Sequence, residues 1–424
     1  MKVLWLTASI KPLKKGSNFS SYNGGGWVSS LQRLIEDVQS IELGIAYVTD
    51  KVEIIEKIGN TTYYPIRHKK TSQLEKICKY YGYKKHNTSH YVAELQTILN
   101  DFKPDIIHLF GLENSMASIL ANSNVPVVVH IQGLLGPYDN AFFPQGINNW
   151  SFLFPITKRE WILRNGYVFA KKDIHRRGIQ EAEVFSKLKY CMGRTHWDCH
   201  VVSLLAPAAR YYHVNEVLRE SFYAHKDQWK HSNGDTLVIT STLSDTMYKG
   251  LDLILKTARM LKQHTAIRFV WNVVGIGESA MLVRFFERSL HLKSCKLNIK
   301  YLGVMDEEEL CNILLTSGVY VHTSYIDNSP NSLCEAQMLG LPVIGTYVGG
   351  VPTLIEDGIT GTLVPANAPY ELAWHILQLA TKPQTYLQMA EVGSRRAKER
   401  HDKEKILHNL IETYQSVVSI EADN

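Results

Sequence analysis

The chain predicts an α/β protein made of two doubly wound domains, each with a parallel sheet. Three observations carry this. At 424 residues it is long enough to fill two separate cores. Short buried strands alternate with helical stretches along both halves, which is the order of a parallel sheet rather than of hairpins. The first strand, Lys2 to Ala8, is followed by Gly24-Gly25-Gly26 and then by helical spacing from Val28 to Ile35. Strand, glycine loop and helix is the phosphate-cradling start of a doubly wound sheet, although three glycines in a row also make a plain flexible turn.

The first half continues with a strand at Ile41 to Val48 and a hairpin around Val52 to Ile66. Thr88 or Ser89 caps a helix that runs to Phe102. Buried strands follow at Pro104 to Phe110 and Val125 to Gly133. His130 and Gln132 lie two apart and so share one face of the latter strand. His130 reads either as a satisfied core residue or as a side chain of a binding cleft. Between Pro137 and Lys172, aromatic residues (Tyr138, Phe142, Phe143, Trp150, Phe152, Phe154, Trp161, Tyr167, Phe169) interleave with Lys158, Arg159, Arg164, Lys171 and Lys172. Such a mixture suits a peripheral contact with an anionic membrane, or a loop packed on its own rings. A helix over Asp173 to Leu188 leads to a strand at Lys189 to Met192, and Thr195 caps the next helix. Arg194, at the carboxyl end of that strand, can hold a phosphate or an acceptor carboxylate, or can pair with a nearby acid.

Tyr211 to Asn215 crosses toward the second half, and the polar stretch 224 to 235 reads as an exposed connector. Strands are predicted at Thr236 to Thr240, Arg268 to Val274, Asn298 to Leu302 and Val319 to His322, with Lys249-Gly250-Leu251 opening a helix to Leu261. Gly275-Ile276-Gly277 lacks the third glycine and the distant acid of a dinucleotide fingerprint and reads as a tight turn. From Ser324 to Gly350 come a loop with Asp327, a helix containing Glu335, a short strand at Val343-Ile344 and the turn Gly349-Gly350. Asn328 or Ser329 can cap that helix, Pro330 suits its first turn, and Gly340 with Pro342 ends it. A helix start beside a glycine turn makes a place for an anion such as a diphosphate. Helices over Pro369 to Thr381, Gln384 to Arg400 and Lys403 to Val418 close the chain.

Composition excludes several classes. A net charge of +5 and a pI near 8.6 are too mild for a nucleic-acid binder. The six cysteines include no CxxC pair and read as free buried thiols of a reducing compartment. The apolar start, Met1 to Ala8, is too short for a signal peptide, and no run of 18 apolar residues offers a membrane span. The chain holds no Asp-x-Asp, so no metal clamp on a diphosphate is expected.

The stretch from Ser324 to Gly350 resembles the donor-binding motif of the retaining family-4 glycosyltransferases (glycosyl transferases group 1). That family carries a Glu, seven residues, Glu-Ala, then Gly-x-Pro-Val and Gly-Gly. Here Glu335 is the second Glu, Asp327 stands at the first, and Glu356 to Pro365 continues the likeness. The resemblance implies the B-type fold (GT-B), two Rossmann-like domains facing across a cleft. It divides the chain into residues 1–212, joined by a last helix at about 401–424, and 213–400. Lys249, Asn328, Ser329, Asn331, Ser332, Leu333, Gly349 and Gly350 would hold the donor diphosphate, with Val304 beside the base through its backbone. Glu335 would accept the ribose hydroxyls and Asp327 would meet the sugar, so Asp327, Lys249 and Glu335 form the catalytic set. The family places an Arg about six residues before the Lys, where this chain has Ser241, Thr242 and Leu243, and Arg194 can substitute from the other lobe. Gly24, Gly25, Gly26, His130, Gln132, Gly133 and Arg194 would face the acceptor.

The implied reaction needs no cofactor. A nucleotide sugar, a UDP-sugar ahead of a GDP-sugar, gives its sugar with retention to a glycan or lipid-linked saccharide during bacterial surface-polysaccharide assembly. The implied location is cytoplasmic, at the inner face of the membrane. A sugar-nucleotide epimerase of the same fold and a non-catalytic sugar-nucleotide or polysaccharide-binding protein are the competing readings, with a dehydrogenase last.

Overall fold

The structure is a computed structural model and describes residues 1–7, 26–68, 89–113, 115–121, 123–146, 166–232 and 234–423. Gly24, Gly25, Cys78, the Thr88 cap and the heart of the aromatic-basic segment, from Trp150 to Arg164, lie outside the described residues.

Eight strands build the first sheet: β1 (Lys2–Thr7), β2 (Glu42–Thr49), β3 (Glu56–Ile58), β4 (Thr61–Arg67), β5 (Ile106–Phe110), β6 (Val127–His130), β7 (Tyr190–Gly193) and β8 (Arg210–His213). Their order is β3-β4-β2-β1-β5-β6-β7-β8. All pairs are parallel except the β3–β4 hairpin. The central strands β5, β6 and β7 are buried at every position, as strands covered on both faces must be.

Six parallel strands build the second sheet: β9 (Thr236–Thr242), β10 (Arg268–Val274), β11 (Ile299–Gly303), β12 (Val319–His322), β13 (Val343–Thr346) and β14 (Thr362–Val364), in the order β11-β10-β9-β12-β13-β14. The chain thus has the two-lobed GT-B architecture, with helices on both sheets.

Strand β8 replaces the expected crossing at Tyr211 to His213. Its Arg-Tyr-Tyr-His sequence is half exposed at the sheet edge and carries no apolar run. The helix expected from Asp173 begins earlier, at Tyr167, behind an uncapped Gly166 that offers no start signal. Cys295 is exposed, in contrast to the expected burial of the thiols.

The last helix and the aromatic segment both help to tie the lobes together. The last helix, Lys403–Ala422, presents Ile406, Leu410, Tyr414 and Val417 at helical spacing to the core of the first lobe, beside Trp27 and Leu31. Its Tyr414 hydroxyl accepts from Trp5 Nε1 at 3.1 Å and lies 2.6 Å from His108 Nδ1. Phe142 and Tyr167, from the aromatic segment, are buried in the core of the second lobe, and the Tyr167 hydroxyl donates to Asp245 at 2.6 Å. Tyr138 meets Tyr248 at 5.2 Å between ring centres. These rings are therefore used in packing one lobe on the other. Among the described residues, no helix is long and apolar enough to cross a membrane.

Candidate active site

In an open parallel sheet, ligands gather where the strand order reverses, beyond the carboxyl ends of the strands. In the second sheet that point lies between β9, which feeds β10 on one side, and β12 on the other. The loops after β9 and β12 carry Lys249 and Asp327, and both open into a cavity of about 640 Å³ between the lobes. Gly26, Trp27, Gln132 and Arg194 line it from the first lobe.

Lys249 ends a single 3-10 turn, and Gly250 follows in the left-handed region at φ 77°. A Cβ at Gly250 would lie 1.9 Å from the Thr323 carbonyl oxygen, so only glycine lets this loop press on the end of β12. The approach brings Lys249 Nζ to 2.6 Å from Asp327 Oδ2. Asp327 also accepts from Ser324 Oγ at 3.3 Å and from the Asn328 amide at 3.2 Å, with His322 Nε2 at 3.5 Å. Burial opposes the charge on Asp327, but Lys249 outweighs it and holds the carboxyl below its usual range. Burial pushes His322 down to about 4, so its ring is neutral at pH 7.

Glu335, in the helix Asn331–Leu339, is held in a two-point fork by Arg219: Nε to Oε1 and Nη2 to Oε2, both 2.7 Å. Both residues line the cavity. Arg219 lies in the interlobe crossing and has no motif of its own; the only sign in the sequence is its apolar neighbours Val217, Leu218 and Phe222, all of which are buried. Beside the missing family Arg, three hydroxyls form a triangle: Thr242 to Ser332 at 2.6 Å, Thr242 to Tyr320 at 2.8 Å and Tyr320 to Ser332 at 2.7 Å. Tyr320, buried on β12, was likewise not anticipated.

Several expected residues have other duties. Neither Asn328 nor Ser329 caps the helix at Asn331, because Pro330 takes the cap position and no side chain bonds the helix start. Ser329 Oγ instead donates to Glu216 at 2.8 Å, while Asn328 accepts from Thr195 Oγ1 at 2.7 Å and donates to the Gln132 carbonyl at 3.3 Å. Asn328 is thus drawn to the first lobe and Ser329 to the segment that crosses between the lobes. The helix start at Asn331 and Ser332 therefore faces the cavity uncapped.

Gly349 and Gly350 approach a protein loop. A Cβ would meet the Asp327 carbonyl oxygen at 2.0 Å from Gly349 and the Asn328 oxygen at 2.1 Å from Gly350. The Gly350 amide already donates to the Asp327 carbonyl at 3.0 Å. Leu333 faces the core, and Val304 sits half exposed on the cavity rim.

On the first lobe, Arg194 Nε lies 3.8 Å from Glu216, its guanidinium covers Trp27 at 4.8 Å, and Nη2 donates to the Gln132 carbonyl at 3.3 Å. It is a buried ion-paired residue at the cavity wall. His130 is wholly buried, edge-on to Trp27 and stacked with His108, away from the cavity. Gly133 packs against Tyr138, with 3.4 Å available to a Cβ. Thr195 forms a full capping box with Asp198.

Glu216, Cys334 and His401 bring one potential ligand atom each within 4.8 Å of one another, all buried. The Glu216 oxygen facing Cys334 also accepts from Ser329, and Arg194 and Arg400 hold its carboxyl down at about 2 against its burial. Cations this close disfavour a metal ion, and the cluster fits a joint between the lobes.

Residues 224–396 match the family model described as glycosyl transferases group 1. The amylovoran biosynthesis glycosyltransferase AmsK of Erwinia amylovora is 28% identical over 150 residues, 34% of this chain and 36% of its own length. The chain thus spans about a third of the length of that curated relative. Among solved structures, sucrose-phosphate synthase of Thermosynechococcus elongatus aligns over 99% of both chains with a TM-score of 0.71 and 12% identity. Anabaena HepE in complex with UDP-glucose aligns over 98% of this chain and 100% of its own, with a TM-score of 0.63 and 16% identity.

Proposed function

We propose, from a second lobe that matches the group 1 glycosyl transferases within a GT-B fold, that this chain transfers a sugar from a nucleotide diphosphate donor to a glycan or lipid-linked saccharide, retaining the anomeric configuration, in surface-polysaccharide biosynthesis. The observation that carries the reading is the arrangement at the switch point: Lys249, an uncapped helix start and a buried, arginine-held Glu335 around one cavity. Breaking the sugar–phosphate bond leaves negative charge on the diphosphate and positive character on the sugar. Lys249 and the amides of Asn331 and Ser332 offset the first, with the Thr242 and Ser332 hydroxyls where the family has an Arg. Asp327 faces the second, and Glu335 takes the ribose hydroxyls.

A diphosphate oxygen accepts the proton of the incoming hydroxyl, and the new carbon–oxygen bond forms on the face that the old one leaves. Gly26, Gln132 and Arg194, which line the cavity from the first lobe, border the acceptor, while His130 packs edge-on against Trp27. This reading uses no cofactor and no metal ion, since the sequence holds no Asp-x-Asp. A UDP-sugar is the first donor to test, because a structural neighbour binds UDP-glucose. The likeness to the amylovoran biosynthesis glycosyltransferase AmsK supports a role in polysaccharide biosynthesis, and the reading places that work at the cytoplasmic face of a membrane, on a lipid-linked acceptor.

A thermal-shift panel of nucleotides and nucleotide sugars tests this, since a ligand that binds only the folded state raises the midpoint. The reading expects UDP and a UDP-sugar to raise it together. A panel in which no nucleoside diphosphate moves the midpoint contradicts it.

A further inference from the structure

A carboxylate that is to accept a pair of sugar hydroxyls must stay ionised and must aim its lone pairs. Glu335 has 1% side-chain exposure, where a lone carboxylate is strongly disfavoured. Arg219 meets both needs, because its fork supplies charge and fixes the carboxylate plane through two contacts of 2.7 Å. Arg219 is itself held: its guanidinium lies 5.1 Å from the Phe222 ring, at the start of the helix Glu220–Ala224. A carboxylate offers about four acceptor positions. The fork takes one on each oxygen, and Glu335 has no further hydrogen-bond donor among the described residues. One position on each oxygen is left, matching a pair of neighbouring hydroxyls in number and spacing.

We propose that Arg219 is the positioning residue of the donor site: it sets Glu335 to accept the 2′- and 3′-hydroxyls of a nucleoside diphosphate, and so creates a preference for ribose over deoxyribose. The proposal rests on the reading of the cavity as a nucleotide-sugar site. Arg219 lies in the segment between the lobes, 116 positions from Glu335, so the same contact ties sugar recognition to the interlobe crossing.

The test is calorimetric titration of the full chain with UDP, 2′-deoxy-UDP and pyrophosphate. Wild type, Arg219→Gln and Arg219→Lys are compared, the last keeping the charge but not the fork. Wild type should favour UDP over its deoxy form by about tenfold or more, the value of a hydrogen bond to a charged group. Both variants should bring that ratio toward one while pyrophosphate affinity stays within about twofold. If Arg219→Gln fails to fold, Arg219→Lys decides alone. A ratio that survives substitution, or pyrophosphate affinity that falls in step with UDP affinity, overturns the role given to Arg219. A wild type that binds UDP and 2′-deoxy-UDP alike, or neither, overturns the donor-site reading and this inference with it.

Discussion

The pair Lys249–Asp327 gives the sharpest prediction, because removing either partner should affect stability and turnover in different ways. At 2.6 Å the bare attraction is about 6 kcal/mol at an effective dielectric of 20, and desolvation of both groups offsets most of it. The single variants should nevertheless be costly. Lys249→Met leaves Asp327 at 11% side-chain exposure without its cation, and Asp327→Asn leaves Lys249 facing the buried His322. Breaking a buried pair typically costs about 3–5 kcal/mol, and the 22% exposure of Lys249 trims this to about 2–3. The double variant Lys249→Met/Asp327→Asn removes both charges, so it should be less destabilised than the sum of the singles by about 2 kcal/mol. Urea unfolding of the four proteins reads this directly. Transfer should not recover in parallel: Lys249→Met and the double variant should both lose at least about a hundredfold in turnover, the scale of one lost transition-state contact. Additive destabilisation refutes the electrostatic account of the pair. Near-wild-type turnover in Lys249→Met refutes the catalytic one.

Other outcomes follow from the same geometry. Gly350→Ala places a methyl 2.1 Å from the Asn328 oxygen and 2.6 Å from Thr195 of the other lobe, so thermal melting should show a loss of about 1–3 kcal/mol. His322 and His401 are held near 4 in the folded chain, chiefly by burial, against about 6.5 unfolded. The unfolded state then binds more protons between those values, so stability should fall as pH drops from about 6.5 toward 4, by roughly 2 kcal/mol per histidine at pH 5. Urea midpoints at pH 7 and pH 5 check the sign, and an unchanged midpoint goes against it. Transfer measured with and without EDTA should agree, and a strict metal requirement would overturn the metal-free reading.

Local chemistry made much of the fold legible. The Thr195 capping box, the β3–β4 hairpin and the helices at Pro369–Thr381 and Gln384–Arg400 each depend on residues a few positions apart. The same is true of Asp327 and Glu335, whose spacing within one loop and helix carries the family resemblance and which both line the cavity between the lobes. Partners contributed from a distance were not legible. Arg219 meets Glu335, and Tyr320 meets Thr242, only once the sheets have formed. Asn328 and Ser329 look like caps locally and were claimed by Thr195 and Glu216 from outside the second sheet. Gly349 and Gly350 announced close approach correctly but not its object, since a glycine's missing Cβ says nothing about what fills the space. The tie between the lobes through Tyr167 and Asp245 links residues 78 positions apart and has no local signature.

A crystal structure of the full chain with bound UDP tests the central claim most directly. The account predicts the diphosphate within hydrogen-bond distance of Lys249 Nζ and the amides of Asn331 and Ser332, with the ribose hydroxyls on Glu335 while Arg219 keeps its fork. A diphosphate held elsewhere in the cavity, with Lys249 still closed on Asp327 and Glu335 free of the ribose, would contradict it.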